Sequence, residues 1–163
     1  MSPTVAVLLL FAGLSEAAGR VLPVVASRSG MSRTRAAGLM LAGAVVEGAV
    51  FALWPLSAWT LAELVLPAPP SEEVVLAWTP GLLAPLLLAA VLAFPLLGPL
   101  LHLMLLVGVG AGLADALATT AGLGWWTAAG CVAIAGAGLA VTVEAVRRLV
   151  ARLSTTRAPE PIT

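Results

Sequence analysis

The chain contains no lysine, asparagine, glutamine or tyrosine, and its 163 residues include one histidine and one cysteine. Without lysine there is no Schiff-base amine and no P-loop lysine for phosphate binding. A metal site usually takes three or four His, Cys, Asp or Glu ligands at recognisable spacing, which this sequence does not offer. The formal net charge is zero, which does not suit nucleic-acid binding. We therefore expect no metal, no cofactor and no nucleic-acid partner.

Charged residues are also scarce. They make up 10% of the chain, against roughly 25% in a typical soluble domain, while 61% of residues are hydrophobic and the mean hydropathy is +1.09. This balance predicts an all-α, polytopic integral membrane bundle whose first partner is the lipid bilayer. The use of arginine without lysine, in a chain rich in Ala, Gly, Leu and Val, is typical of a GC-rich bacterial genome. We therefore expect the protein in the bacterial inner (cytoplasmic) membrane.

The apolar runs predict about five transmembrane helices, because a bilayer core of about 30 Å needs roughly 20 helical residues. Residues 1–153 would form one transmembrane domain, followed by a disordered cytoplasmic tail at 154–163. An outer loop is expected at 59–78, and its first half, 59–66, is compatible with a short interfacial helix. Pro80, Pro85 and Pro95 leave open whether the third span crosses fully or is re-entrant. The predicted spans are 3–26, 36–58, 78–97, 100–121 and 125–146.

Arginines predict the orientation of these spans. One cluster lies between the first two spans, at Arg28, Arg33 and Arg35, and a second follows the last span from Arg147 onwards. The positive-inside rule assigns both clusters to the cytoplasm, and spans two to five supply the even number of crossings between them. The N-terminus is then outside and the C-terminus inside. The tryptophans agree, because all five fall at the outer interface: Trp54, Trp59, Trp78, Trp125 and Trp126.

Three charged residues, Glu16, Arg20 and Glu47, lie near the middle of the first two apolar runs. A charge at this depth costs about 2.5 to 3.5 kcal/mol by insertion scales, so the three need partners. Glu16 and Arg20 are four residues apart on one helix face and can pair. If Glu47 shares Arg20, the cluster has one surplus negative charge, which favours retention of a proton by one carboxyl group. The alternative is a permanently paired group that fixes helices together, or a protonated Glu47 bonded to a helix carbonyl.

Further candidates lie on the later spans. Gly108 and Gly112 form a GxxxG pattern in the predicted fourth span, a pattern that favours close helix packing. Asp115 lies on the same side of this helix, so we expect it to face protein. It would either extend a polar path from Glu47 or cap a contact between helices. Gly43 and Gly136 are expected at other helix-packing faces. His102 is a possible proton shuttle or a water-facing structural residue.

Two short stretches resemble known membrane-protein families. The residues Glu16-Ala17-Ala18-Gly19 are similar to the segment around the midplane glutamate of small multidrug exporters. The residues 11–15, Phe-Ala-Gly-Leu-Ser, resemble the start of small four-span DoxX-like proteins. Each likeness covers four or five residues, so neither assigns a site.

Three functions are compatible with these features. The first is a transport-related role, as a small transporter or the membrane subunit of one, with Glu16, Arg20 and Glu47 as a midplane polar site. The second is a non-catalytic accessory or assembly subunit of a larger membrane complex. A lesser alternative is an intramembrane enzyme that protonates an isoprenoid-like lipid through a carboxylic acid. In the first two cases we expect self-association or a larger membrane-protein partner.

Overall fold

The computed structural model describes residues 3–27, 32–66, 76–93 and 99–155, and in these ranges the chain is helical with no strand. The all-α prediction is therefore confirmed. The predicted tail falls mostly on residues 156–163, which lie outside the described residues. The five helices are α1 (Pro3–Ser27), α2 (Arg33–Val65), α3 (Pro80–Ala93), α4 (Pro99–Ala121) and α5 (Trp125–Thr155).

Four of these helices contain segments long and apolar enough to cross a membrane: Pro3–Leu22, Arg33–Val65, Leu103–Ala121 and Trp125–Leu149. The protein is therefore a multi-pass helical membrane protein. Helix α3 has 14 residues and is about 21 Å long at 1.5 Å per residue, which is less than a bilayer core. Residues 94–97 of the predicted third span lie outside the described residues, so the five-span count stays a prediction.

Helix α2 is longer than the sequence indicated. The second span was expected to end at residue 58, and the helix continues through Pro55 to Val65, so residues 59–65 belong to the same helix. The side chain of Trp59 donates a hydrogen bond to Glu63 one turn later (2.7 Å), and the Leu66 N–H closes the last turn on the Ala62 carbonyl. Local contacts thus stabilise the helix beyond its proline.

The five helices form a closed ring. Helix α1 packs on α2 and α3, α2 packs on α5, α5 on α4, and α4 on α3, and a smaller contact between α2 and α4 crosses the ring. Within the described residues α1 and α4 make no contact with each other, and α3 lies between them and packs on both. The indole N–H of Trp78, just before α3, donates to the Phe51 carbonyl of α2 (2.9 Å).

The hydrophobic core occupies one end of the ring. Its largest fully buried side chains lie in the first half of α3 and the second half of α4: Leu83, Leu86, Leu113 and Leu117. They pack with Trp59 from the end of α2 and Ala128 from the start of α5. The predicted topology has these parts of the helices at the outer side of the membrane. The charged residues of α1 and α2 lie towards the other end.

Candidate functional site

Glycines bring α1 and α2 into backbone contact beside the charged residues. A Cβ atom on Gly13 would lie 2.4 Å from the Ala44 carbonyl oxygen and 2.6 Å from the Gly48 nitrogen, so no side chain fits there. A Cβ on Gly43 would lie 2.8 Å from the Ala17 Cβ. Small residues at such positions let membrane helices approach closely. Gly43 therefore lies where α2 approaches Ala17 of α1.

This contact brings Glu16, Arg20 and Glu47 together. Arg20 forms an ion pair with Glu47 across the α1–α2 interface, and its Nη2 atom lies 3.7 Å from Glu16 Oε2 along α1. The two carboxylate side chains are 7% and 12% exposed, whereas that of Arg20 is 55% exposed. One guanidinium group thus lies between two largely buried acids and extends away from the α1–α2 contact.

The three residues line a cavity of about 590 Å³ formed by α1, α2, α4 and α5. Most of its wall is apolar, contributed by alanine, valine, leucine and glycine residues. The charged groups among the lining residues are those of Glu16, Arg20, Glu47, Glu144 and Arg147. The site is therefore an apolar cavity with a small set of charges, a composition typical of ligand-binding cavities.

Trp54 of α2 forms another part of the cavity wall. Its indole N–H donates to the Val132 carbonyl of α5 (2.9 Å). A Cβ on Gly136 would lie 3.0 Å from Trp54 Nε1, and one on Gly110 would lie 3.5 Å from Cζ2 of the same ring. Gly136 of α5 thus lies directly against the Trp54 side chain of α2. Because its N–H is already bonded, the Trp54 indole adds apolar surface to the cavity wall and no free hydrogen-bond donor.

Glu144 and Arg147 were not foreseen as part of this cavity. Glu144 precedes Arg148 by four residues, and the two form an ion pair, with Arg148 Nε 2.6 Å from Glu144 Oε1. Arg147 Nη2 also lies 2.7 Å from Glu144 Oε2. The spacing of three and four residues predicts such pairs. The position of Glu144 and Arg147 on the cavity wall depends on how α5 packs on α2.

Asp115 does not join the cluster. It is exposed and does not line the cavity, so the expectation that it faces protein stays a prediction that concerns a partner. Gly112 packs on α3, because a Cβ on it would lie 3.3 Å from Leu82 Cδ2, whereas a Cβ on Gly108 would meet none of the described residues within 4 Å. The GxxxG pattern therefore brings one of its two glycines into a contact. His102 lies in the first turn of α4, and its side chain is outside the described residues.

Within the described ranges, no three His, Cys, Asp or Glu side chains are grouped so as to hold a metal ion. Cys131 is a free, buried thiol in α5. The chain matches no protein-family model, no curated protein and no solved structure. The two short resemblances gain no support from a family match. The cavity and its charged residues are therefore the basis for assigning a function.

Proposed function

We propose that this protein is transport-related, either as a small transporter or as the membrane subunit of a transport complex. One observation supports the proposal most: Glu16, Arg20 and Glu47 meet on the wall of a cavity that is otherwise mostly apolar. Ionisable residues inside a membrane protein are expensive to bury and often mark the route of an ion, a proton or a substrate.

The charge balance of this group suggests how it would work. Two carboxylates share one guanidinium group, so the fully ionised group has one surplus negative charge. A proton or a cation can neutralise that charge. Because Arg20 contacts Glu47 and also lies 3.7 Å from Glu16, neutralising one acid leaves Arg20 free to pair with the other. The occupied and empty states would then differ in the contact between α1 and α2.

We further propose that the chain crosses the membrane five times with the N-terminus outside and the C-terminus inside. Arginines at the start of α2 and the end of α5 support this orientation through the positive-inside rule. In this orientation the charged groups lie on the cytoplasmic side of Trp54. The site would then exchange protons or ligands most directly with the cytoplasm.

A role as an accessory subunit is the second candidate, and Asp115 favours it. This residue is exposed although it belongs to the apolar segment Leu103–Ala121. A second copy of the chain or a larger membrane protein would shield its carboxylate from lipid. Native electrophoresis with mass spectrometry of particles extracted in mild detergent tests this role. A stable larger complex supports it, and a monomer contradicts it.

Proton flux into liposomes tests the transport proposal. Purified wild-type protein should dissipate an imposed pH gradient faster than empty liposomes, and Glu47→Gln should bring the rate down to that of empty liposomes. Glu63→Gln is the matched control, because it makes the same change in α2 at an exposed residue outside the cavity. Equal flux in all three proteins, or no flux above empty liposomes, would contradict the proposal.

A further inference from the structure

We infer that the cavity binds an uncharged, lipid-soluble molecule whose polar end is a carbonyl group. The inference rests on the proposed function for the idea that the cavity takes up a ligand, and it adds the chemical class of that ligand. Four features of the described residues support it: where the cavity opens, how its apolar and polar parts are arranged, how its charges balance, and which of its polar groups are exposed.

The cavity is open at the side of the helix ring. Leu103 and Val107 of α4 and Trp125 of α5 line it, and all three side chains are exposed. Leu103 and Val107 belong to an apolar segment long enough to cross a membrane, so lipid would surround this opening. A lipid-soluble ligand can enter there without passing through water.

The wall separates an apolar part from a polar part. Around Trp54 it consists of side chains such as Phe51, Ala129 and Val132, and the Trp54 N–H is already bonded to the Val132 carbonyl. Glu47 lies about two turns before Trp54 in α2 and lines the cavity with charged residues of α1 and α5. The volume of about 590 Å³ lies within the range of about 300 to 1,000 Å³ found for small-molecule sites. A hydrocarbon body with one polar end matches this arrangement.

The charges of the polar part balance one another. One group has two carboxylates around a guanidinium group, and the other has two guanidinium groups around a carboxylate. The first is Arg20 with Glu16 and Glu47, and the second is Glu144 with Arg147 and Arg148. Glu16 also has a further interaction. Together the two groups have no excess formal charge to attract an ion, and an uncharged head group leaves this balance unchanged.

The exposed polar atoms are mainly N–H donors. The side chains of Arg20 and Arg147 are 55% and 71% exposed. Those of Glu16 and Glu47 are 7% and 12% exposed, and both oxygens of Glu144 are paired with arginines. A guanidinium group has several N–H donors and no acceptor. A carbonyl oxygen, which accepts hydrogen bonds and donates none, therefore fits this surface, whereas an ammonium group would meet covered or paired carboxylates.

Photolabelling of the full chain in neutral maltoside detergent tests the inference. The probe is undecyl methyl ketone with a diazirine at the chain end away from the carbonyl, and mass spectrometry of peptides locates the label. We expect the label on the apolar part of the wall, at residues such as Phe51 and Val132. Unlabelled ketone should compete about tenfold more strongly than tridecane, because only the ketone accepts a hydrogen bond from a charged donor. Dodecylamine and dodecanoate should compete no better than tridecane.

An ester of similar length, methyl laurate, distinguishes two sources of the carbonyl group. Competition by the ester at least as strong as that of the ketone supports the inference and identifies an acyl ester as the ligand class. Weaker competition by the ester, with the ketone still above tridecane, supports it and identifies a ketone.

Variants connect the preference to the polar part of the wall. Arg20→Met combined with Glu47→Gln removes one charge of each sign, and it should make the ketone and tridecane compete equally. Arg35→Met combined with Glu63→Gln is the matched control, because it removes the same two charges at exposed residues outside the cavity and should keep the preference.

A second pair of variants tests the cavity itself, and it applies even if the double variant at Arg20 and Glu47 does not fold. Ala137→Leu adds bulk to the cavity wall and should reduce the labelling. Ala49→Leu makes the same change at an exposed residue off the wall and should leave the labelling unchanged.

Three results would overturn the inference: tridecane that competes as well as the ketone, an amine or a carboxylate that competes better, or label spread over lipid-facing residues in place of the cavity wall. A preference that survives in Arg20→Met with Glu47→Gln would also overturn it. The outcome is separable from that of the transport proposal. Carbonyl-selective labelling without proton flux keeps the ligand and rejects transport, whereas flux without this selectivity does the reverse.

Discussion

At the scale of single residues, the contact between α1 and α2 depends on the missing side chain of Gly13. A methyl group there would overlap the backbone of α2 at Ala44 and Gly48. Neither backbone can move aside as a flexible side chain would, so the helices would have to separate. The same separation would pull Arg20 away from Glu47.

Gly13→Ala should therefore destabilise the protein by about 1 to 3 kcal/mol, the usual effect of overpacking. Thermal unfolding in detergent, followed by circular dichroism, measures the change. Gly38→Ala in α2 is the control, because a Cβ there meets none of the described residues within 4 Å. A Gly13→Ala variant as stable as Gly38→Ala would show that the helices do not pack this closely.

The hydrogen bond between Trp54 and Val132 leads to a second prediction. Gly136→Ala places a methyl group about 3.0 Å from Trp54 Nε1 and should break this bond, at a cost of about 0.5 to 1.5 kcal/mol. Near-ultraviolet circular dichroism and the melting temperature should both change. Gly138→Ala, two residues later with nothing described within 4 Å, should change neither. Unaltered spectra in both variants would contradict the observed position of the indole.

The sequence pointed to Glu16, Arg20 and Glu47 because charges are conspicuous in apolar runs. It did not single out Gly13, because a glycine that touches a backbone looks the same in sequence as one that faces lipid. Glu144 was recognised as a paired acid, but its place on the cavity depends on helix packing. A GxxxG pattern likewise does not say which of its glycines meets a partner, so the contact of Gly112 with α3 was not predictable.

At the scale of helices, α3 differs most from its neighbours, since its 14 residues make it the shortest. The segment before it is held to α2 by the bond from Trp78 to Phe51, and Trp78 itself is 7% exposed. A buried hydrogen bond of this kind fixes the entry of the chain into the helix. The position of α3 therefore depends partly on α2, although α1 and α4 are the helices it packs against.

Trp78→Phe removes this donor and leaves the Phe51 carbonyl without the bond. We expect a loss of about 1 to 3 kcal/mol and faster amide hydrogen exchange at residues 76–79 and in the first turn of α3. Hydrogen exchange with mass spectrometry in detergent provides the measurement. Trp126→Phe is the control at a residue that is 84% exposed. Equal exchange in both variants would show that the bond does not hold this segment.

Hydropathy and arginine positions located the helices but not all of their ends. Proline lacks a backbone donor, yet α2 continues past Pro55, where the hydrogen bond from Trp59 to Glu63 and the packing of Ala58 and Ala62 in the core stabilise the helix. The partners of each helix were not predictable. These helices are apolar on nearly all sides, so the spacing of hydrophobic residues along the sequence does not indicate which face of a helix packs on which neighbour.

At the scale of the whole molecule, the orientation in the membrane can be measured directly. With Cys131 replaced by alanine, Gly124→Cys between α4 and α5 should react with an impermeant thiol reagent added to intact cells. Thr34→Cys at the start of α2 should react only after permeabilisation. Both residues are exposed. The reverse pattern of labelling would overturn the N-out, C-in orientation.

The ring order α1–α2–α5–α4–α3 also has a consequence for biosynthesis. Helix α2 meets α5, which is made after the other four described helices, so a nascent chain that ends after α4 has neither the Val132 acceptor for Trp54 nor the α5 wall of the cavity. Until synthesis of α5 is complete, one side of α2 remains open to lipid or to an insertion factor. Folding of the cavity is therefore post-insertional, and a chain truncated before α5 should be a substrate for membrane proteases.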